Sequence, residues 1–146
     1  MLFQTSNIEV LTSIILSFLK NILRQYELFE DPHFFYIVLD AARGGDLCDE
    51  LDDFGAFVES AACALMKQLL SCINYLHSCG IVHCDVKPGN ILLEANKELS
   101  QLKLIDFGFA SKINEAENQR LTKQRGTLYY SAPEVFAGNY GKKVIW

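Results

Sequence analysis

The sequence lacks the positive charge and the long apolar runs that mark some broad classes of protein. Its 18 Asp and Glu residues outnumber its 13 Lys and Arg residues, which gives a formal net charge of −5 at pH 7. Nucleic-acid-binding domains usually carry a basic face, so we expect no nucleic-acid partner. The apolar stretch at residues 11–19 is interrupted by polar residues and is too short to span a bilayer, so we expect no membrane partner.

Cysteine is present, but its spacing fits neither a metal site nor a disulfide framework. The chain has five cysteines and no C-x-x-C pair, and an odd number suits a reduced chain inside the cell. The beginning of the sequence also lacks the basic start of a signal peptide, because Glu9 precedes the apolar stretch and Lys20 follows it. We therefore expect a cytoplasmic location.

The apolar pattern predicts one globular domain of mixed secondary structure. Half of the 146 residues are hydrophobic, which is enough for a single core. Helical spacing predicts helices over residues 8–18 and, most clearly, 60–78, with Gly80 as the stop of the second. Aromatic and β-branched residues predict a buried strand over 34–39 and a second strand over 102–105. The buried stripe of the longer helix would comprise Leu65, Leu69, Ile73 and Leu76.

Polar segments between these elements predict turns and loops. Residues 27–32 are expected to form a turn, and Gly44 with Gly45 marks a change of element or lobe. Residues 111–124 are polar and lack periodicity, so we expect an exposed, mobile loop there.

One polar loop carries residues with catalytic character. Residues 83–90 read H-C-D-V-K-P-G-N and lie between short apolar flanks. Transfer of a phosphoryl group needs a carboxylate that orients the attacking hydroxyl and accepts its proton, and Asp85 suits that role. Lys87 can stabilise charge on the transferred group, and Asn90 can offer its amide oxygen to Mg²⁺. A Pro-Gly turn would explain Asp85 alone, but it does not explain the whole octet.

Two further motifs follow in order. Asp106 begins D-F-G directly after a predicted strand, where a carboxylate ligand for a hard cation such as Mg²⁺ belongs. The tripeptide alone could arise by chance, but its position after the octet makes it informative. Residues 126–134 read G-T-L-Y-Y-S-A-P-E, and Thr127 is placed to hydrogen-bond back to Asp85 and Lys87. The third motif would thereby connect a substrate platform to the base.

These three motifs, in this order, resemble the signature set of the protein kinases. Residues 26–47 are also similar to the segment from the fourth strand through the hinge in the calcium- and calmodulin-dependent kinase group. The resemblance implies a truncated α+β kinase fold. A remnant of the small lobe, with helix αC, two strands and the hinge, would span 1–42, and part of the large lobe would span 43–146. It further implies a Ser/Thr kinase that uses ATP and Mg²⁺ and acts on protein substrates.

The resemblance also assigns a nucleotide site. Leu39 would be the gatekeeper, and Asp40 and Ala42 would meet the adenine through their backbone groups. Asp46 would hydrogen-bond the ribose and could also meet a basic residue of the substrate, while Leu92 would lie under the adenine ring.

Asn90 and Asp106 would hold the Mg²⁺ that accompanies ATP, so Asp106 belongs to both the nucleotide site and the metal site. The catalytic set would be Asp85, Lys87, Asn90 and Thr127.

The sequence departs from the kinase pattern because it contains neither G-x-G-x-x-G nor V-A-x-K. The kinase family covers and pairs the ATP phosphates with these two motifs, and misplaced phosphates cost orders of magnitude in rate. We therefore expect a fragment that is inactive or nearly so by itself. The alternative is a truncated kinase-like scaffold, or pseudokinase, that binds partners without catalysis. A small-molecule phosphotransferase ranks last, because it would have no use for residues 126–134.

Three more departures concern regulation and completeness. Cys84 stands where kinases usually carry an arginine that reads a phosphate, and Lys123 stands where many carry the phosphorylated residue. We therefore expect regulation by another route, such as a calcium sensor outside these residues. The glutamate of helix αC would be Glu9, although the apolar pattern also allows a register that places Asn7 there. The family further carries an aspartate just before Trp146 and a helical remainder after it, so we expect an incomplete domain.

Overall fold

The computed structural model describes residues 20–95, 101–114 and 119–143. The predicted helix at 8–18, with the candidates Glu9 and Asn7, lies outside these ranges. Six strands lie within the described ranges: β1 Gln25–Glu30, β2 Phe35–Leu39, β3 Ile81–Val82, β4 Ile91–Leu93, β5 Leu102–Leu104 and β6 Ser111–Lys112. In the same ranges three α-helices accompany them: α1 Leu47–Phe54, α2 Glu59–Ser78 and α3 Pro133–Phe136. The strands form three antiparallel pairs, β1 with β2, β3 with β6 and β4 with β5.

The long helix α2 organises the core. It matches the prediction to within one residue at its start, and the predicted stripe is buried along its whole length. Gly80 follows its end with φ of +72°, the left-handed conformation that favours glycine. The stripe packs on β4, β5 and Phe107 in one continuous cluster. The segment between α2 and β4, which contains residues 83–90, therefore rests on a packed core.

The hairpin of β1 and β2 differs from its prediction in two ways. Residues 27–30 belong to β1, and the turn begins only at Asp31, whose Oδ1 accepts from the backbone N–H groups of His33 and Phe34 at 2.7 Å each. The predicted turn at 27–32 was therefore wrong for most of its length. The predicted buried strand is exposed instead, with Tyr36 50% and Val38 42% accessible. Residues 27–30 form a strand because they pair with β2, and the local sequence pattern does not record that pairing.

Residues 111–114 and 119–124 are more ordered than their polar composition indicates. Residues 111–112 form β6 and pair with β3, while Ile113 and Leu121 are buried. The prediction of an exposed loop throughout 111–124 was therefore wrong. Leu121 also exchanges two backbone hydrogen bonds with Tyr140, so non-local contacts order a stretch that has no periodicity of its own.

The mixture of helices and small antiparallel sheets agrees with the predicted α+β class. Helix α1 was not predicted; it begins after Asp46, whose carboxylate accepts from the backbone N–H groups of Cys48 and Asp49. The proposed division at residues 42 and 43 stays a prediction. Within the described residues, no helix has both the length and the apolar character needed to cross a membrane.

Candidate active site

Strand pairing brings the two predicted metal ligands to one end of a hairpin. Asn90 directly precedes β4, and Asp106 follows β5 by two residues. Because the strands are antiparallel and Ile91 pairs with Leu104, the start of β4 lies beside the end of β5. The backbone N–H of Ile105 donates to the carbonyl of Asn90 at 2.9 Å, which extends this pairing past the strands.

A buried histidine orients the loop that carries Asp85. The ring of His83 packs edge-on against Phe107 with their centroids 4.8 Å apart. Its Nδ1 accepts from the backbone N–H of Asp85 at 3.2 Å, so the proton is on Nε2, which lies 3.0 Å from the Ile105 carbonyl and donates to it. Burial lowers the pKa of His83 to about 4, so the ring is neutral at physiological pH. Its role is to fix Asp85 relative to the segment that carries Asp106.

The carboxylate of Asp85 is the centre of a converging set of donors. Lys87 Nζ lies 3.0 Å from its Oδ2, and the Asn90 side-chain amide donates to the same oxygen at 2.9 Å. The backbone N–H of Thr127 donates to its Oδ1 at 2.7 Å. Lys87 Nζ also donates to Thr127 Oγ1 at 2.6 Å, which closes the set. The contacts predicted from Thr127 to Asp85 and Lys87 are both present.

These donors determine the charge of Asp85. Burial alone would raise the pKa of the carboxyl group, because it disfavours the charged form. Hydrogen bonds from Thr127, Lys87 and Asn90 outweigh burial and hold the pKa below its ordinary value of 3.8. Asp85 is therefore an anion at neutral pH, oriented by three residues.

Gly126 allows the third motif to approach the catalytic loop this closely. Its φ is +90°, and a Cβ atom there would lie only 2.1 Å from the carbonyl oxygen of Cys84. Any other residue would both strain the backbone and push the segment away from the loop. Sequence reasoning placed Thr127 here but gave no role to the glycine before it, although the G-T pair was the available signal.

The arrangement of Asn90 and Asp106 fits a magnesium ion. Asn90 uses its amide N–H₂ to donate to the backbone and carboxylate oxygens of Asp85, at 2.8 and 2.9 Å, which turns its amide oxygen away from that residue. Asp106 sits in the left-handed region with φ of +60°, and its Oδ1 accepts from the backbone N–H of Gly108. Mg²⁺ commonly takes one or two protein oxygens and completes its octahedron with phosphates and water. No group of three or more His, Cys, Asp or Glu side chains suited to a metal occurs in the described part of the chain.

The residues assigned to the nucleotide are only partly brought together. Asp46 and Leu92 form an isolated antiparallel bridge, and Gly44 and Gly45 hydrogen-bond with the backbone of β4 at Leu93. The chain that follows the predicted hinge therefore runs beside β4. Asp46 also caps helix α1 through its Oδ1.

The predicted hinge residues lie further along the same connection. Leu39 ends β2 and is 46% exposed, Asp40 bonds to the backbone of Arg24 and Ala41, and Ala42 is half-buried. No hydrogen bond given for the described residues joins these three to Asp85, Asn90 or Asp106.

Two residues near the site were not recognised from the sequence in these roles. Burial raises the pKa of the Cys84 thiol to about 12, so it is a neutral thiol and not a reactive thiolate. Tyr140 is 2% exposed and its hydroxyl donates to the Lys123 carbonyl at 2.6 Å. No local pattern could have indicated this contact, because it joins residues 17 positions apart.

Comparison with known proteins agrees with this geometry. The family described as protein kinase domain matches residues 5–146, which is nearly the whole chain. The chain belongs to the protein kinase family. The fold class and the resemblance inferred from the three motifs are thereby confirmed.

Several kinases of Plasmodium species are similar to this chain. Calcium-dependent protein kinase 5 of Plasmodium falciparum (isolate 3D7) is 44% identical over 127 residues, and calcium-dependent protein kinase 4 of the same organism is 43% identical over 128 residues. Calcium-dependent protein kinase 3 of Plasmodium yoelii yoelii is 42% identical over 127 residues. Each alignment covers 86% of this chain but only 22–24% of the relative, so the chain spans about a quarter of their length.

Proposed function

We propose that the chain carries the phosphoryl-transfer half of a Ser/Thr protein kinase active site. One observation carries the proposal: the buried carboxylate of Asp85 receives hydrogen bonds or an ion pair from Lys87, Asn90 and Thr127 at 2.7–3.0 Å. These are the residues to which the family resemblance assigns catalysis. An anion buried to this extent is costly unless it is paired, and here the pairing partners are themselves the other members of the site.

Asp85 would act chiefly by orientation. A carboxylate with a lowered pKa is a weak base, so it removes a proton only late in the reaction. Transfer of a phosphoryl group through a loose transition state needs little basicity but precise alignment of the hydroxyl. Asp85 would therefore hold the Ser or Thr hydroxyl of a protein substrate in line and accept its proton as the new bond forms.

Lys87 would act on the transferred phosphoryl group, and Thr127 would act on the substrate platform. The ammonium group of Lys87 lies between Asp85 and Thr127, at 3.0 and 2.6 Å, so it is fixed by two partners. There it would stabilise negative charge on the transferred group, as electrostatic preorganisation requires. Thr127 would keep the substrate platform in register with the base.

ATP and Mg²⁺ are the cofactors that the family generally uses. Asn90 and Asp106 would hold Mg²⁺, which when bound neutralises charge on the phosphates. Asp46, Leu92 and the segment of Leu39, Asp40 and Ala42 would form the nucleoside side of the site.

Substrates and regulation follow from the relatives. The calcium-dependent kinases named above suggest that calcium controls this kinase through a sensor outside the 146 residues. We further propose a cytoplasmic location and protein substrates with Ser or Thr, some of them basic near the site, where Asp46 would meet them. Neither a nucleic acid nor a membrane is part of this proposal.

A catalytically inactive scaffold is the second candidate. One observation favours it: the 146 residues contain no glycine-rich phosphate loop and no V-A-x-K lysine. The chain by itself should then transfer phosphate slowly, if at all, and would act by binding partners. Calorimetry with Mg–ATP separates the two candidates, because a scaffold without a nucleotide site would give no heat of binding.

Transfer of labelled phosphate tests the kinase proposal. The chain is incubated with γ-³²P-ATP, Mg²⁺ and a basic peptide that contains one Ser. Asp85→Asn should reduce transfer about 100-fold, the lower end of the range for loss of a positioned acid–base group. A peptide with Tyr in place of Ser should remain unlabelled.

The matched control is Asp53→Asn, which removes an exposed carboxylate on α1 and should leave the rate unchanged. Labelling that is above background and equal for the unaltered chain and for Asp85→Asn would contradict the catalytic role.

A further inference from the structure

Residues 121–127, which present Thr127 to Asp85, are also held by Tyr140. This tyrosine lies 17 positions after Lys123, to which it donates a hydrogen bond. Tyr140 exchanges two backbone hydrogen bonds with Leu121, at 2.8 and 3.1 Å. Its hydroxyl then reaches past them and donates to the carbonyl of Lys123 at 2.6 Å. Three hydrogen bonds from one residue thus fix residues 121–123, four positions before Thr127.

Tyr140 is itself firmly held. Its ring is 2% exposed and packs with Val82, Leu121 and Val135 in a second apolar cluster beside the catalytic loop. Burial raises the pKa of its hydroxyl above the ordinary value of 10, so the group remains a donor throughout the physiological range. A rigid ring with a single hydroxyl aimed at a backbone carbonyl is a suitable tether for residues 121–123.

The remaining links of this segment also need no phosphate. Gln124 donates to the carbonyl of Phe136 at 3.2 Å, and Arg125 donates to the carbonyl of Phe109, in the turn that follows Asp106, at 3.3 Å. Gly126 lies against Cys84 and Thr127 reaches Asp85. Each of these links ends on a backbone atom or on the catalytic carboxylate, and a further link joins Lys87 Nζ to Thr127 Oγ1 at 2.6 Å.

We infer that Tyr140 is a positioning residue, which holds the segment 121–127 in register with Asp85 without phosphorylation of that segment. The inference deepens the proposed function and rests on it, since register matters only if Asp85 and Thr127 act together. Tyr140 touches neither Asp85 nor Thr127 through a hydrogen bond given for the described residues, so its effect passes through the backbone of residues 123–126.

Amide hydrogen exchange of Tyr140→Phe tests the inference without any need for turnover. The variant keeps the ring and removes only the hydroxyl. The amides of residues 125–127, including the Thr127 N–H that donates to Asp85, should exchange roughly tenfold faster, the effect expected from loss of one hydrogen bond. Amides in α2 should keep their rates, which separates a local effect from general destabilisation. Unchanged exchange at residue 127 would overturn the inference.

Two further arms complete the test. Tyr26→Phe, which alters an exposed tyrosine on the hairpin, is the control and should change neither region. Thr122→Ala removes the exposed hydroxyl beside Lys123, and exchange at residue 127 should stay within twofold of the unaltered chain. A tenfold rise in Thr122→Ala would mean that this hydroxyl, and not Tyr140 alone, holds the segment.

The unaltered chain provides a measurement if Tyr140→Phe does not fold. The Tyr140 hydroxyl proton should be visible by NMR and show a nuclear Overhauser effect to the backbone of residue 123 or 124, and its absence would count against the tether. In a chain that transfers phosphate, Tyr140→Phe should lower kcat severalfold and leave KM for ATP unchanged. Faster exchange in Tyr140→Phe, together with labelling above background that Asp85→Asn leaves unchanged, would reject the proposed function and leave the tether standing.

Discussion

At the scale of single residues, the site depends on backbone conformations that most side chains avoid. Cys84 and Asp106 are the non-glycine residues with positive φ in the described part of the chain, at 66° and 60°. Such conformations cost on the order of 1–3 kcal/mol and persist only where surrounding contacts impose them. Here one outlier directly precedes Asp85 and the other is a predicted metal ligand. His83 connects the neighbours of these two positions through its hydrogen bonds with Asp85 and Ile105.

The neutral His83 makes stability depend on pH. Its folded-state pKa of about 4 lies below the ordinary 6.5, so the unfolded chain binds the proton more readily. The contribution of neutral His83 to the free energy of unfolding is complete above pH 6.5. It decreases by on the order of 3 kcal/mol as the pH falls towards 4. Urea unfolding at several pH values should show this loss.

Replacement of the ring isolates this contribution. His83→Gln should flatten the dependence between pH 6.5 and 4, whereas His33→Gln, which alters an exposed ring on the hairpin turn, should retain it. A slope in His83→Gln as steep as that of the unaltered chain would assign the loss to other groups.

At the scale of elements, α2 and the β4–β5 hairpin form the base on which the catalytic loop rests. The helix offers one buried stripe, and that stripe packs on β4, β5 and Phe107. The loop that carries Asp85 enters from β3, which pairs with β6, so its two ends are held by different sheets. The position of Asp85 is thus a consequence of packing beneath it and pairing beside it.

Two leucines on the same helix test this account. Leu76 is 1% exposed within the main cluster, whereas Leu70 is 44% exposed. Leu76→Ala should lower the free energy of unfolding by about 2–5 kcal/mol, because it leaves a cavity in the core. Leu70→Ala should cost less than about 1 kcal/mol. Denaturant titration of both variants measures the difference, and similar costs would show that the helix is not packed through the Leu76 face.

At the scale of the whole molecule, apolar surface is unevenly covered. The main cluster around α2 is continuous, but the hairpin of β1 and β2 exposes many large side chains. These include Tyr26, Phe29, Tyr36, Val38 and Leu39, each more than 40% accessible. Extended exposed apolar surface favours association between molecules or binding of an apolar dye.

Substitution on this hairpin should reduce that tendency. Phe29 is 53% exposed, so Phe29→Gln should lower the fluorescence of bound anilinonaphthalene sulfonate and reduce self-association in sedimentation experiments. The free energy of unfolding should change by no more than about 0.5 kcal/mol. Glu30→Gln, on the same strand, is the control and should affect neither measurement. Equal dye binding by both variants would place the apolar surface elsewhere.

The sequence by itself determined the family of this protein and the longest helix of its described part. The three motifs marked Asp85, Lys87, Asn90, Asp106 and Thr127 as candidates because each functional group is encoded by residue type and by local spacing. The period of apolar residues located α2 for the same reason. These signals are local, so they can be read without a structure.

Only the tertiary structure decided how these groups meet. Strand β1 was mistaken for a turn because its partner β2, and not its own composition, makes it a strand. The order of residues 111–112 and of Leu121 comes from pairing with β3 and with Tyr140, which are distant in sequence. Gly126 lies close to Cys84, and donors converge on Asp85, because segments about 40 residues apart pack together. No local sequence pattern records this packing.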